Sequence, residues 1–187
     1  MRSLDRLGSQ PVSLPLLADD IVEFHAARLM LLMHLCGVSG RIDGLTKMAK
    51  LDFFVRYPDF FASAQASETS NGENSKIRSH DERVESAMVR HHYGPWDKRY
   101  YHVIAHLESK GLISVSKVGR SYQIALTEFG LQKAKALGNL NSFSQLADHM
   151  REVKRTFGRK SGSYLKNLIY QLFDEEVGKR PIGEKID

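Results

Sequence analysis

A mainly α-helical fold, a winged-helix core with additional C-terminal helices, is what this sequence predicts, and three adjoining observations predict it. From Asp97 to Lys110 the apolar residues Tyr100, Val103, Ile104 and Leu107 recur at i, i+3, i+4 and i+7, the stripe of an amphipathic helix. Gly111 stops that helix. Period-two alternation follows, with Ile113 and Val115 before the dipeptide Gly119-Arg120 and Tyr122, Ile124 and Leu126 after it, so a tight hairpin turn is expected at the dipeptide. Thr127 then N-caps a new helix, with Glu128 favourably placed in its first turn. Helix, glycine, hairpin and capped helix is the element order of a winged helix. There the helix before the hairpin can enter a major groove while the hairpin tip touches backbone, and the same parts serve as protein-docking surfaces. Trp96, Tyr100, Ile104, Leu107, Ile113, Ile124 and Leu126 are expected to be buried together.

The other elements follow from the same signals. Residues 1–19, with Gly8, Pro11 and Pro15 among small and polar neighbours, read as a flexible N-terminal arm. Asp20 to Cys36 is helical in pattern and apolar almost all round in its second half, as suits a helix at the centre of a core; Gly37 ends it. Gly40 and Gly44 bracket a turn, and Leu45, Met48, Leu51, Phe54 and Val55 form the inward stripe of a second helix that Pro58 closes or kinks. Residues 63–82, rich in Ser, Asn, Glu and Gly, read as a mobile surface loop. Val84 to Tyr93 fits neither period, so strand and helix stay open there. Tyr93-Gly94-Pro95-Trp96 reads as a turn, with the single tryptophan anchored on the core. Helices are expected over Phe129–Leu137, Asn139–Phe157 and Tyr164–Val177. The organisation is an arm at 1–19, a winged-helix-like core at 20–137 and a C-terminal helical extension at 138–187.

Composition narrows the function classes. At 187 residues, 42% apolar and 26% charged, the chain has the make-up of one globular unit, not of a disordered or membrane-spanning protein. The longest apolar run, Leu29 to Cys36, is broken by His34 and is too short to span a bilayer. With no apolar signal core near the N-terminus, a cytoplasmic protein is expected. The single cysteine, Cys36, lies in a helical apolar run and reads as a buried small hydrophobe.

A search for catalytic patterns finds none that closes. His102 and His106 have the i, i+4 spacing of a metal pair, but Val103 stands where a zinc protease needs its glutamate base, and no third ligand is evident. Asp97 with Glu108-Ser109-Lys110 mimics the acid, acid-x-lysine order of a metal-dependent nuclease. That chemistry needs the last three residues on a strand, and here they end a helix, so Asp97 reads as an N-cap and Glu108 as a solvated face. Gly158-Arg-Lys-Ser-Gly162 is too short for a phosphate loop, and no GxSxG elbow occurs. The expectation is a non-enzyme without metal or cofactor.

The strongest candidate site is basic. Residues 151–166 carry Arg151, Lys154, Arg155, Arg159, Lys160 and Lys166 against Glu152 alone, which is +5 in sixteen residues and equals the net charge of the whole chain. Such a run is commonly a solvated helix face. Here Arg159 to Ser163 also precede a helix, so backbone N–H groups and cations can converge on one anion. Arg120 at the wing tip and Lys98 and Arg99 before the core helix extend the same field, with Lys110 at that helix's end. Nothing in the set specifies a base sequence.

Three blocks, GLTKMAKLDFFVRYPDFF, VESAMVRHHYGPWDKRYYHVIAHLESKGLI and FGRKSGSYLKNLIYQLF, resemble the small middle component of ABC-three-component anti-phage systems, the group that includes Lamassu. KLDFF-x-RYP and YGPWD-x-RYY are the most specific parts of the likeness. What the resemblance implies is a non-catalytic adaptor that joins an ATPase of the structural-maintenance-of-chromosomes (SMC) type to a separate effector, often a nuclease, with double-stranded DNA close by. It supplies no catalytic residues. The competing reading is a stand-alone winged-helix transcriptional regulator or antitoxin that reads a major groove with the helix at Tyr100–Lys110. Lys98, Arg99, His102, His106 and Glu108 make that helix a mediocre reader of base edges.

Overall fold

The computed structural model describes residues 21–69 and 87–186. The arm expected at 1–19, and the part of the expected loop from residue 70 onward, lie outside the described residues. The described chain is mainly helical with a small antiparallel sheet. Its first half runs α1 (Val22–Cys36), β1 (Arg41–Asp43), α2 (Leu45–Arg56), α3 (Pro58–Thr69), β2 (Val89–His91) and β3 (Gly94–Trp96). Its second half runs α4 (Tyr100–Ser109), β4 (Ile113–Val118), β5 (Ser121–Leu126), α5 (Glu128–Gly138), α6 (Ser144–Phe157) and α7 (Gly162–Leu172). A 3-10 turn at Asn141–Phe143 leads into α6 and a π-helical turn at Asp174–Gly178 follows α7. No helix of the described residues is long and apolar enough to cross a membrane.

α1 is the central element, packed on α2, α4, α5 and α6, which explains why its apolar residues wrap most of its circumference. One cluster of buried side chains runs from Leu29 and Leu32 through Phe53, Phe54, Leu107 and Ile124 to Phe157, Ile169 and Ile186. The C-terminal helices therefore close the same core as the N-terminal ones. Phe54 stacks on Phe157 at 4.5 Å between ring centroids, and Phe60 meets Phe173 edge-on at 4.7 Å.

α4 ends as its sequence requires. Gly111 takes φ +67°, donates to the Glu108 carbonyl at 2.9 Å, and lets Leu112 donate to Leu107 at 3.0 Å, a paired C-terminal cap that only a left-handed residue completes. The hairpin turns at Gly119-Arg120 with Val115 opposite Ile124 and Ile113 opposite Leu126. Thr127 caps α5, its hydroxyl accepting from the Gly130 N–H at 3.0 Å. Trp96, Tyr100, Ile104, Leu107, Ile113 and Ile124 are buried, whereas Leu126 is only partly so, lying at the sheet end beside Gly40.

Three expectations need correction. The turn between Gly40 and Gly44 contains the strand β1, which pairs antiparallel with β5 and gives the sheet order β1-β5-β4. The turn at Tyr93–Trp96 is confined to His92 and Tyr93; Gly94–Trp96 is a strand paired with Val89–His91. The loop expected from residue 63 is helical up to Thr69, because Pro58 starts α3 instead of only closing α2, and proline fits the first turn of a helix. Ala64 is sealed in the core and Gln65 donates to Thr156 Oγ1 at 3.1 Å, so this part of the segment is structural. The chain end is also tied down. Ile186 donates to the Met88 carbonyl at 2.8 Å and Tyr57 Oη to the Ile186 carbonyl at 3.2 Å, which places the tail along β2.

Candidate functional site

The basic residues separate into three groups in space. Lys154 faces inward: its ammonium donates to the Cys36 carbonyl at 2.9 Å and to Gly37, closing the C-terminal end of α1. Arg99 is likewise engaged, with Nε 2.9 Å from Asp97 Oδ1, Nη2 2.8 Å from Oδ2 and Nη1 3.1 Å from His25 Nε2. Neither offers its donors to an external anion.

The second group is exposed or half-buried and, Arg159 and Lys98 apart, compensated within its own surface. α6 turns Ala147, Met150, Val153 and Phe157 into the core, so Arg151 and Arg155 point outward, where Asp148 at 2.6 Å and Glu152 at 3.4 Å neutralise them one turn away. Lys160 pairs with Glu68 at 2.7 Å and lies over the Tyr164 ring at 4.3 Å. Hydrogen bonds from Lys160 and then Tyr164 hold the Glu68 carboxyl below its ordinary range. Arg159 and Lys98 are exposed.

Arg120 and Lys166 form the third group, and they share one cleft. Both line a cleft of about 390 Å³ between the hairpin tip, the start of α2 and the start of α7, together with Lys47, Tyr93 and Tyr122. Main-chain contacts build it. Gly44 donates to the Tyr122 carbonyl at 2.7 Å, which fixes the hairpin against α2. A side chain at Gly162 would come within 2.9 Å of the Lys47 backbone nitrogen, so glycine lets α7 begin directly against α2. α2 has no side-chain cap at its N-terminus, whereas Ser161 caps α7 by accepting from Tyr164 N–H at 3.1 Å. Lys47 donates to the Gly158 carbonyl at 2.9 Å, and burial, followed by the charge of Lys154, lowers its pKa. Asp43, the acid of the cleft, is paired with Arg41 at 3.0 Å. The cleft therefore keeps a positive balance carried by Arg120 and Lys166. No family model, curated protein or solved structure matches this chain.

Sequence reasoning missed a second constellation, which is buried. Arg28 binds Asp52 through two bonds, Nε to Oδ1 at 3.0 Å and Nη2 to Oδ2 at 3.2 Å, and Tyr100 Oη donates to the same Oδ2 at 2.7 Å. Asp97 accepts from Arg56 at 2.8 Å and from the Arg99 backbone at 2.9 Å, and Arg28 Nη2 lies 3.9 Å away. Asp97 is only 5% exposed. Burial alone would raise its pKa, but the side-chain and backbone bonds from Arg99 and the charge of Arg56 outweigh that and hold it well below the carboxylate range. It is a buried ion, not the simple helix cap its position suggested. Burial, then the Asp52 charge, pushes the Tyr100 phenol well above its ordinary value.

His102 is exposed and His106 partly so, and no group of three or more metal-ligating side chains occurs among the described residues. Cys36 is sealed, its thiol donating to the Met150 carbonyl at 3.2 Å and pushed up to about 12 by burial.

Proposed function

We propose that the chain is a non-catalytic adaptor with a winged-helix core, a subunit of an anti-phage complex that bridges an SMC-type ABC ATPase and an effector of nuclease type, with its basic cleft turned toward nucleic-acid phosphates. One observation carries the proposal. The two blocks most specific to the resemblance, Lys50–Pro58 and Tyr93–Tyr101, meet inside the protein: Lys50 donates to Pro95, Tyr100 to Asp52 and Arg56 to Asp97, at 2.7, 2.7 and 2.8 Å. Apart from Tyr93, which lines the basic cleft, and the exposed Lys98 and Tyr101, the charged and hydrogen-bonding groups of these blocks bond within the protein and do not converge on a cavity, as suits a scaffold more than an active site.

The winged-helix assignment is supported by the order α1, β1, α2 ahead of α4, with α3 and the β2–β3 pair inserted between α2 and α4, and by a hairpin whose second strand takes β1 as its other neighbour. The competing regulator reading is weakened at α4. Its outward residues include Tyr101, His102 and Glu108, and the nearby Arg99 is bound to Asp97, so no arginine, asparagine or glutamine is left to read a base edge.

Co-purification tests the proposal. The tagged full chain, expressed with the products of its neighbouring genes, is expected to bring down an ATPase and an effector in fixed proportion. Recovery of the chain alone, with tight binding to one duplex sequence, would replace the adaptor by the regulator.

A further inference from the structure

The tyrosines of the basic cleft add a second chemistry to its cations. Tyr93 sits in the turn between β2 and β3, and Tyr122 lies two residues after Arg120 of the hairpin tip. They are 58% and 46% exposed, although most of the chain's other aromatic rings are packed into the core. Both line the cleft that holds Arg120 and Lys166. Exposed aromatic rings beside cations in one concave site are the two elements that single-stranded nucleic acid needs: ring faces for bases and positive charge for the backbone. A volume of about 390 Å³ is at the small end of ligand-sized pockets. A paired duplex keeps its base faces covered and could touch only the rim.

We infer that this cleft binds one nucleotide unit of a single strand, its phosphate held by Arg120 and Lys166 and its base stacked on Tyr122 or Tyr93. The inference rests on the phosphate-facing reading of the cleft above, but not on the identity of the protein partners. Lys47, already bonded to Gly158, supplies field and not a contact. Stacking and backbone charge carry no base preference, so the preference is for strandedness and not for sequence.

Fluorescence anisotropy of a labelled oligothymidylate titrated with the full chain tests this, with a blunt duplex of equal length and free thymidine monophosphate as the comparison ligands. The strand is expected to bind more tightly than the duplex. Tyr122→Ala or Tyr93→Ala should weaken strand binding by roughly five- to 150-fold and leave its salt dependence unchanged, since stacking releases no counterions. Tyr122→Phe should restore it. Arg120→Ala and Lys166→Ala should each flatten the slope of log affinity against log salt by about 0.7. Calorimetric binding of the free monophosphate with the same variant pattern, and no gain from the strand, would support the site and make a free nucleotide its source. Equal affinity for strand and duplex, or tyrosine variants without effect, overturns the inference. If partners still co-purify in that case, the adaptor reading stands while this one falls.

Discussion

The ammonium of Lys154 closes the C-terminus of α1, donating to the Cys36 carbonyl at 2.9 Å and to that of Gly37. A residue of the most basic stretch in the chain is thereby a structural cap, and its neighbours are not. Lys154→Met keeps the aliphatic stem and removes the charged donor. It is expected to cost about 1.5–3 kcal/mol, the range for hydrogen bonds to charged groups. Reversal of the exposed Arg155 and Arg159 to Glu should shift stability by less than about 1 kcal/mol. Chemical denaturation of the two variants separates the roles, and equal midpoints would return Lys154 to the surface cluster.

Asp97 anchors the segment that leads into α4. With Asp97→Asn, Arg56 and Arg99 lose the charge of a shared carboxylate in a buried setting, and removing one member of such a network costs roughly 3–5 kcal/mol. The sign with pH follows from its depressed pKa. The contribution is complete above the ordinary carboxylate pKa of about 4 and fades as the pH falls below it, because the unfolded chain takes up the proton first. Thermal melts of wild type and Asp97→Asn should therefore converge toward strongly acid pH, and a constant gap would show that the carboxylate charge is not what the variant removes.

What the sequence revealed was local, and what it hid was pairing at a distance. α1, α2, α4, the hairpin turn and the Thr127 cap are each announced by a period, a glycine or a capping residue within a few positions, and all are present. β1 has three residues and no period of its own; it exists because Ile42 faces Ile124 across more than eighty positions of chain. The later part of α3 is alanine and small polar residues, which a hydrophobicity reading cannot distinguish from a loop, although Ala64 is fully buried. Asp52 reads as an ordinary acid until α1 and α4 bring Arg28 and Tyr100 to it, and Asp97 reads as a helix cap until α2 brings Arg56 to it. The cleft was half legible. Arg120 and Lys166 stand out in the sequence as cations, but their sharing one cleft depends on Gly162 lying against Lys47, and Tyr93 and Tyr122 carry no signal beyond being tyrosines.

Cys36 should be chemically silent in the folded protein. Its side chain is sealed, and burial pushes the thiol up to about 12, so at neutral pH it is neither accessible nor a thiolate. A disulfide-exchange reagent is expected to react only after global unfolding, with a rate that follows denaturant concentration. Rapid labelling under native conditions would mean that α1 opens away from α6 without the rest of the core.

Lys50 is the least ordinary charge in the core. It is fully buried, its ammonium donates to the Pro95 carbonyl at 2.7 Å, and burial followed by the nearby charge of Lys166 lowers its pKa from 10.5 to about 7. A lysine that is easier to deprotonate in the folded state destabilises that state whenever it is protonated in both. Below about pH 7 the penalty is complete. Between about pH 7 and 10.5 the unfolded chain holds a proton that the folded chain has released, so stability rises with pH, and above that range the gain is finished. The difference in unfolding free energy between wild type and Lys50→Met should accordingly move in favour of wild type by roughly 3–5 kcal/mol from about pH 7 to about pH 10. Taking the difference cancels the titration of every group the two proteins share. Lys166→Ala, by removing the second cause, should move the onset of the rise to higher pH. An anion held at Lys166 in the cleft should act in the same direction, since it offsets the same charge. Denaturant titrations of the three proteins across this range are the measurement, and parallel curves for wild type and Lys50→Met would mean that Lys50 keeps its proton in the fold.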